Sequence, residues 1–136
     1  MADRARKVDY FKTIIPNRPG QGAKACGPLK DAGVNLLALH AFPAGGRAQV
    51  DLIPERRGDF QRAARKMGLK LGPRKTAFLI EGDDRPGAVA GILKKLGAAK
   101  INVVAVSAAR TGKRYSGLLW VRPRDVARAA RVLKAR

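Results

Sequence analysis

Two stretches carry groups suited to holding a small charged molecule: Asn17-Arg18-Pro19-Gly20 and Asp84-Arg85-Pro86-Gly87. Each follows an apolar extended run, "YFKTII" or "TAFLIEG", and each precedes a segment able to form a helix. A helix start exposes unbonded N–H groups and a partial positive charge, so the backbone after Pro19 or Pro86 suits a carboxylate. Asp84 offers a carboxylate to an ammonium group. Asn17 offers only a carbonyl, which predicts the tighter site at Asp84. Asn35 and Asn102, each 15 residues after its Gly, bring a carboxamide that donates and accepts. This chemistry is recognition, not bond-making. Glu81, Asp83 and Asp84 form a carboxylate group with no fitting base, nucleophile or phosphate loop, so no catalysis is expected. His40 is the single histidine and Cys26 the single cysteine, and no metal site or cofactor is expected. Cys26 reads as a packed thiol.

These groups need elements to position them, and the chain makes those elements twice. At an offset of 67 (85 − 18), residues 18–56 align with 85–123 without a gap, and 12 of the 39 pairs are identical. Each copy reads β-α-β-β-α: the strand before the turn, a helix, an apolar strand ("VNLLALHAF", "INVVAVSAA"), a Gly-containing turn, a further strand and a second helix. Pro19 and Pro86 suit the first helical position. A short strand "LKL" at residues 69–71 is expected to close the first copy. The expected fold class is α+β: two tandem ferredoxin-like (βαββαβ) units with antiparallel sheets, residues 1–72 and 73–136.

Two differences between the copies matter. Pro28 falls inside the first helix and cannot donate to the carbonyl of Lys24, which predicts a kinked or shortened helix. The second copy stops after its last helix, so its sheet lacks a last strand and its edge must be filled by another segment, by a partner chain, or stay open. At the positions of its third strand facing away from the helices stand Leu118 and Trp120, an apolar pair that predicts a covered surface.

Composition bounds the partners. With 46 % apolar and 5 % aromatic residues, the core must be built from Val, Leu, Ile and Ala. No apolar run reaches the roughly 20 residues of a membrane span, and no signal peptide is read at the start, so a cytoplasmic protein without membrane contact is expected. The net charge of +19 invites a nucleic-acid partner, but the basic residues are spread over the tail, both late helices and the C-terminus. RNA modules of this plan stack bases on two or three aromatics of one sheet face. Here the third strand of the second copy has only Tyr115 and Trp120, five apart and hence on opposite faces. A basic RNA-binding module and a pure assembly module are the alternatives.

A strand running into Asn/Asp-Arg-Pro-Gly, a helix, and Val/Ile-Asn at the start of the next strand resembles the ACT domain, and the chain from residue 8 to residue 134 is similar to two in tandem. The resemblance implies a regulatory module for a small molecule, often an amino acid, with sites where two units meet side by side. It implies ligand contacts at Asn17, Arg18, Pro19, Gly20 and Asn35, and at Asp84, Arg85, Pro86, Gly87 and Asn102. It further implies a homodimer or higher oligomer that acts in trans on a regulated enzyme.

Overall fold

The structure, a computed structural model, describes residues 3–136. Strand β1 (Arg4–Pro16) leads to α1 (Gln21–Asp31), β2 (Leu36–Ala44), β3 (Arg47–Pro54) and α2 (Arg57–Met67). The order then repeats as β4 (Lys75–Asp83), α3 (Ala88–Ala98), β5 (Val103–Thr111), β6 (Arg114–Val121), a 3-10 turn (Pro123–Asp125) and α4 (Val126–Leu133). This is the α+β plan read from the repeat. No helix among the described residues is long and apolar enough to cross a membrane.

The chain forms two compact units: an N-terminal repeat of Asp9–Lys75, and a C-terminal repeat of Thr76–Arg136 together with the described residues up to Val8. The division at 72/73 read from the sequence therefore lies at 75/76 here, and the start of the chain changes sides. The first residues of β1 supply the fourth strand of the C-terminal repeat, giving it the order β1-β4-β6-β5. The Lys7 N–H donates to the Arg136 carbonyl at 2.9 Å, so this borrowed strand is tied on its other side too. A strand edge otherwise left with unpaired backbone groups is thereby covered.

The N-terminal repeat has the order β2-β3-β1. Residues 69–72 run beside β1: the Gly72 N–H donates to the Lys12 carbonyl at 2.8 Å and the Thr13 hydroxyl to the Lys70 carbonyl at 2.8 Å. The strand expected at 69–71 is thus an extended segment and not a regular strand, because it is held by one backbone bond and one side chain instead of a ladder. Helix α1 is not shortened by Pro28: it has 11 residues, as α3 does. Pro28 sits in the last turn, where Ala32, Gly33 and Val34 still donate to the carbonyls of Pro28, Lys30 and Leu29.

Each sheet packs its helices on one face, with Phe78, Ile80 and Leu119 against Ile92, Leu96 and Ala129 in the C-terminal repeat. In the N-terminal repeat Phe11, Val50 and Leu52 meet Leu29 and Phe60, and the rings of Phe11 and Phe60 lie 5.3 Å apart. Burying each such side chain contributes about 1.5–3 kcal/mol, enough together to fix the pitch of the helices over the strands. Leu118 and Trp120 are buried, as the apolar pair predicted.

Register decides what each sheet end carries. Pro16 and Ala44 both lie opposite Arg47, and Leu36 lies opposite Pro54. The turn after β1 therefore stands at the end of β2, and Asn35 stands at its start. The C-terminal repeat is alike: Asp83 and Thr111 both lie opposite Arg114, and Val103 lies opposite Val121.

Candidate functional site

Both Arg-Pro-Gly stretches fold into the same backbone device. The Gln21 N–H donates to the Arg18 carbonyl at 3.3 Å, and the Ala88 N–H to the Arg85 carbonyl at 3.2 Å. Gly20 has φ 84° and ψ −12°, and Gly87 has φ 79° and ψ 10°. These are type II turns, with Pro at the second position and a left-handed Gly at the third. Pro19 and Pro86 are therefore not first helical residues, as the sequence reading had them. The Pro-Gly pair makes the turn, and each Gly then caps the helix, its carbonyl accepting from Lys24 or Gly91 at 3.0 Å. The next N–H groups, of Gly22 and Ala23 in α1 and of Val89 and Ala90 in α3, have no intrahelical acceptor.

Around the second turn lies a cavity of about 320 Å³. It is lined by Asp84 and Arg85, by Gly87 to Ala90 at the start of α3, by Ala108, Ala109 and Arg110 at the end of β5, and by Tyr115. The Asp84 carboxylate is 3.6 Å from Arg110 Nη1, and its N–H is fixed by the Lys113 carbonyl at 2.9 Å. A carboxylate and a guanidinium thus meet at one small space lined by alanines and by the first turn of α3.

Arg85 points elsewhere. Its guanidinium donates to both carboxylate oxygens of Asp3, at 3.0 and 2.8 Å, and to the Asp83 carbonyl at 2.9 Å. The Tyr115 hydroxyl donates to the same carboxylate at 2.9 Å. The Arg85 bond holds the Asp3 carboxyl below its usual range against the opposing effect of burial, with Tyr115 adding to it. Burial, and then the bond to Asp3, push the Tyr115 hydroxyl up to about 12. Gly82 leaves the room: a Cβ there would overlap Asp3 Oδ1 and come within 2.9 Å of Tyr115 Cε1.

The first turn has different neighbours. Asn17, Arg18, Pro19 and Gly20 are exposed. At the repeat positions of Gly82, Arg110 and Tyr115 stand Ile15, Pro43 and Ala48.

Neither Asn joins its own turn. Asn35 and Asn102 precede β2 and β5, at the sheet end opposite the turns. Eight residue steps along β5 at ~3.4 Å each separate those ends by roughly 27 Å. Asn35 Nδ2 donates to Glu55 Oε2 at 3.2 Å, and the Glu55 N–H returns to the Asn35 carbonyl at 3.0 Å. At the position of Glu55 the second copy has Arg122, so Asn102, which is exposed, has no such carboxylate.

The sequence reading missed Arg110, Asp3 and Tyr115 as neighbours of the second turn. Arg110 was within reach of it, since the aligned repeat sets it against Pro43 at the end of an equivalent strand. Asp3 was not, because nothing in the tail "MADRARK" announces a strand that crosses to the other copy.

Tyr115 and Trp120 are 4 % and 5 % exposed, so neither presents a face on which a base could stack. Cys26 is free and half-buried, and burial raises the pKa of its thiol.

No protein-family model and no curated protein sequence matches the chain. Solved structures do. A protein of Bacteroides thetaiotaomicron matches with a TM-score of 0.83 at 16 % identity, over 96 % of this chain and 88 % of that one. The regulatory subunit of aspartate kinase from Thermus thermophilus, in its ligand-free form, matches with 0.65 at 16 % identity, over 98 % and 93 %. Its counterpart from Thermus flavus matches with 0.62 at 18 % identity, over 98 % and 94 %. The likeness is one of fold.

Proposed function

We propose that this protein is a regulatory module that binds an amino acid at the second Asp-Arg-Pro-Gly turn. The observation that carries this reading is the 320 Å³ cavity, whose polar groups complement a zwitterion. Asp84 receives the α-ammonium group. The N–H groups of Val89 and Ala90, with Arg110, receive the α-carboxylate. Ala88, Ala108 and Ala109 leave space for a side chain. Arg85 orders the turn from behind through Asp3. The first turn, with Asn17 and Arg18, is the weaker counterpart, and the likeness of fold to regulatory subunits of aspartate kinase supports regulation over catalysis.

Asn35 and Asn102 enter through a second copy of the chain. β2 and β5 are the edge strands of their sheets, and at equivalent repeat positions both keep apolar side chains exposed: Leu39 is 48 % and Val106 40 % accessible. An edge strand paired antiparallel with its counterpart in another copy sets the turn end of one beside the Asn end of the other. The homo-oligomer thereby completes each site, and regulation acts in trans on a separate enzyme.

The test is a thermal-melt screen against the common amino acids at about 10 mM, with Asp84→Ala as control. A ligand with Kd of about 100 μM stabilises the fold by roughly 2.7 kcal/mol. A selective rise with one or two amino acids, lost in Asp84→Ala, is expected. A flat response from the unaltered chain rejects the amino-acid reading and leaves assembly.

A further inference from the structure

A second and larger hollow lies in the C-terminal repeat and shares only Arg85 with the alanine-walled cavity. It measures about 1200 Å³ and is lined by the start of β1, by β4, by α3 and by the segment that ends α4. Six basic residues face it, Arg4, Arg6, Arg85, Lys95, Lys134 and Arg136, against two acidic ones, Asp3 and Glu81. Asp3 is already engaged by Arg85 and Tyr115.

Elsewhere in the chain the arginines near carboxylates are paired with them: Arg57 with Asp9, Arg114 with Asp83, Arg122 and Arg128 with Asp125. The side chains of Arg4, Arg6, Lys134 and Arg136 make no hydrogen bond or ion pair among the described residues. Four cations brought around one concavity repel one another, and low-dielectric walls concentrate their field on the space between them. An anion seated there removes that repulsion. One elementary charge leaves most of it in place, so the site suits a compact polyanion.

The end of α4 does not oppose this. Helix C-termini repel anions through their free carbonyls. Here the Lys134 and Ala135 N–H groups close back onto the carbonyls of Arg131 and Ala130 at 3.2 and 2.8 Å. The remaining wall is apolar, formed by Leu79, Val132 and Leu133. A bare polyphosphate has no use for such a wall, whereas a planar base does. The volume also exceeds what a chain of phosphates fills and lies just above the usual range of small-ligand sites.

We infer that this hollow binds a nucleoside polyphosphate, with Arg4, Arg6, Lys134 and Arg136 on the phosphates and Leu79, Val132 and Leu133 against the base. The inference goes beyond the amino-acid reading and needs neither Asp84 nor Arg110. Calorimetric titration of the full chain with adenosine triphosphate, at 150 mM salt, tests it. Saturable binding of one nucleotide per chain is expected, tighter than that of inorganic tripolyphosphate. Arg6→Gln with Lys134→Gln should weaken it about tenfold or more, since hydrogen bonds to charged phosphates are the strong ones. Arg57→Gln with Arg62→Gln, the same charge change on α2, should leave it unaltered. Melting curves of both variants establish that they fold, and the single Arg6→Gln variant serves if the double one does not. The inference is overturned if the nucleotide does not saturate a site, if tripolyphosphate binds as tightly, or if the two double variants lose affinity equally, as a diffuse basic surface would dictate. A single-stranded oligonucleotide that outcompetes the nucleotide also overturns it, since the hollow would then be part of an extended phosphate track.

Discussion

The turn at 17–20 and the turn at 84–87 have the same backbone and different company. Both are type II turns that cap a helix with a left-handed glycine. Around the second stand a carboxylate, Asp84, paired with Arg110, and an arginine clamped by Asp3, which Tyr115 in turn holds. Around the first, those positions hold Asn17, Pro43 and Ala48. What the duplication kept is therefore the means of starting a helix, and what it varied is charge. A motif defined by Arg-Pro-Gly is a statement about geometry, and its ligand chemistry is written in residues that lie next to it in space.

The largest effect expected from this contrast is at Gly82, whose counterpart in the first copy is Ile15. Gly82→Val places side-chain atoms where Asp3 Oδ1 and the Tyr115 ring already are. It should cost about 1–3 kcal/mol, the usual range for overpacking, and lower the melting temperature by several degrees. The same change in an Asp3→Ala background should cost less, because one of the two colliding groups is gone. Equal costs in both backgrounds would mean that the start of the chain does not hold its strand position in solution.

Next in size is the split between the two sites. With the amino acid found in the screen, Asp84→Ala should lose about tenfold in affinity, ~1.4 kcal/mol, and Asn17→Ala twofold or less at the tighter site. Asn102→Ala should weaken binding only under conditions where the chain is oligomeric, since Asn102 lies at the far end of its own sheet. An Asn102→Ala effect in a monomer, measured by sedimentation alongside binding, would break the argument for a site completed by a second copy.

A smaller pair of changes checks that the turns themselves are equivalent. Gly20→Ala and Gly87→Ala each force a side chain into the left-handed region at a cost of about 1–2 kcal/mol before relaxation, with open space around both positions. Denaturation midpoints should fall by similar amounts for the two. A much larger loss at Gly87 would assign that turn a packing role that the first lacks.

The fold was legible because its signals are local and doubled: the apolar strands, the Pro-Gly turns and the Gly-containing hairpins each repeat at a fixed offset. What stayed hidden depends on pairing across long sequence distance. The fourth strand of the C-terminal repeat comes from residues up to Val8, and no periodicity in "DRARKV" tells which sheet it joins. Residues 69–72 sit where a strand belongs but bond through Thr13 and Gly72, a geometry that alternation in "LKL" does not distinguish from a ladder. The role of Pro-Gly was ambiguous for a physical reason, since the same dipeptide serves the first helical turn and the middle of a type II turn. Only the φ angle of the glycine separates them.

The two tyrosines give the finest test of the clamp on Arg85. Tyr115 is held protonated by burial and by donating to Asp3, and titrates at about 12; Tyr10 is raised by burial and, to a lesser extent, by Asp51. A tyrosine ordinarily loses its proton near pH 10. A folded-state pKa above that value means that the folded chain keeps the proton longer, so this contribution to stability is complete below about pH 10 and is lost as pH rises through about 12. Ultraviolet difference spectra should accordingly show little tyrosinate before the upper limb of the titration. For Asp3 the sign reverses: its pKa is lowered, so the clamp contributes fully above the unfolded value near 4 and is lost as pH falls through the lower folded one. Asp3→Asn keeps the shape and removes the charge. The Tyr115 midpoint should then drop while staying above 10, because burial, the larger cause, remains. An unchanged midpoint would mean that Tyr115 is shielded by packing alone and that Asp3 clamps Arg85 without it.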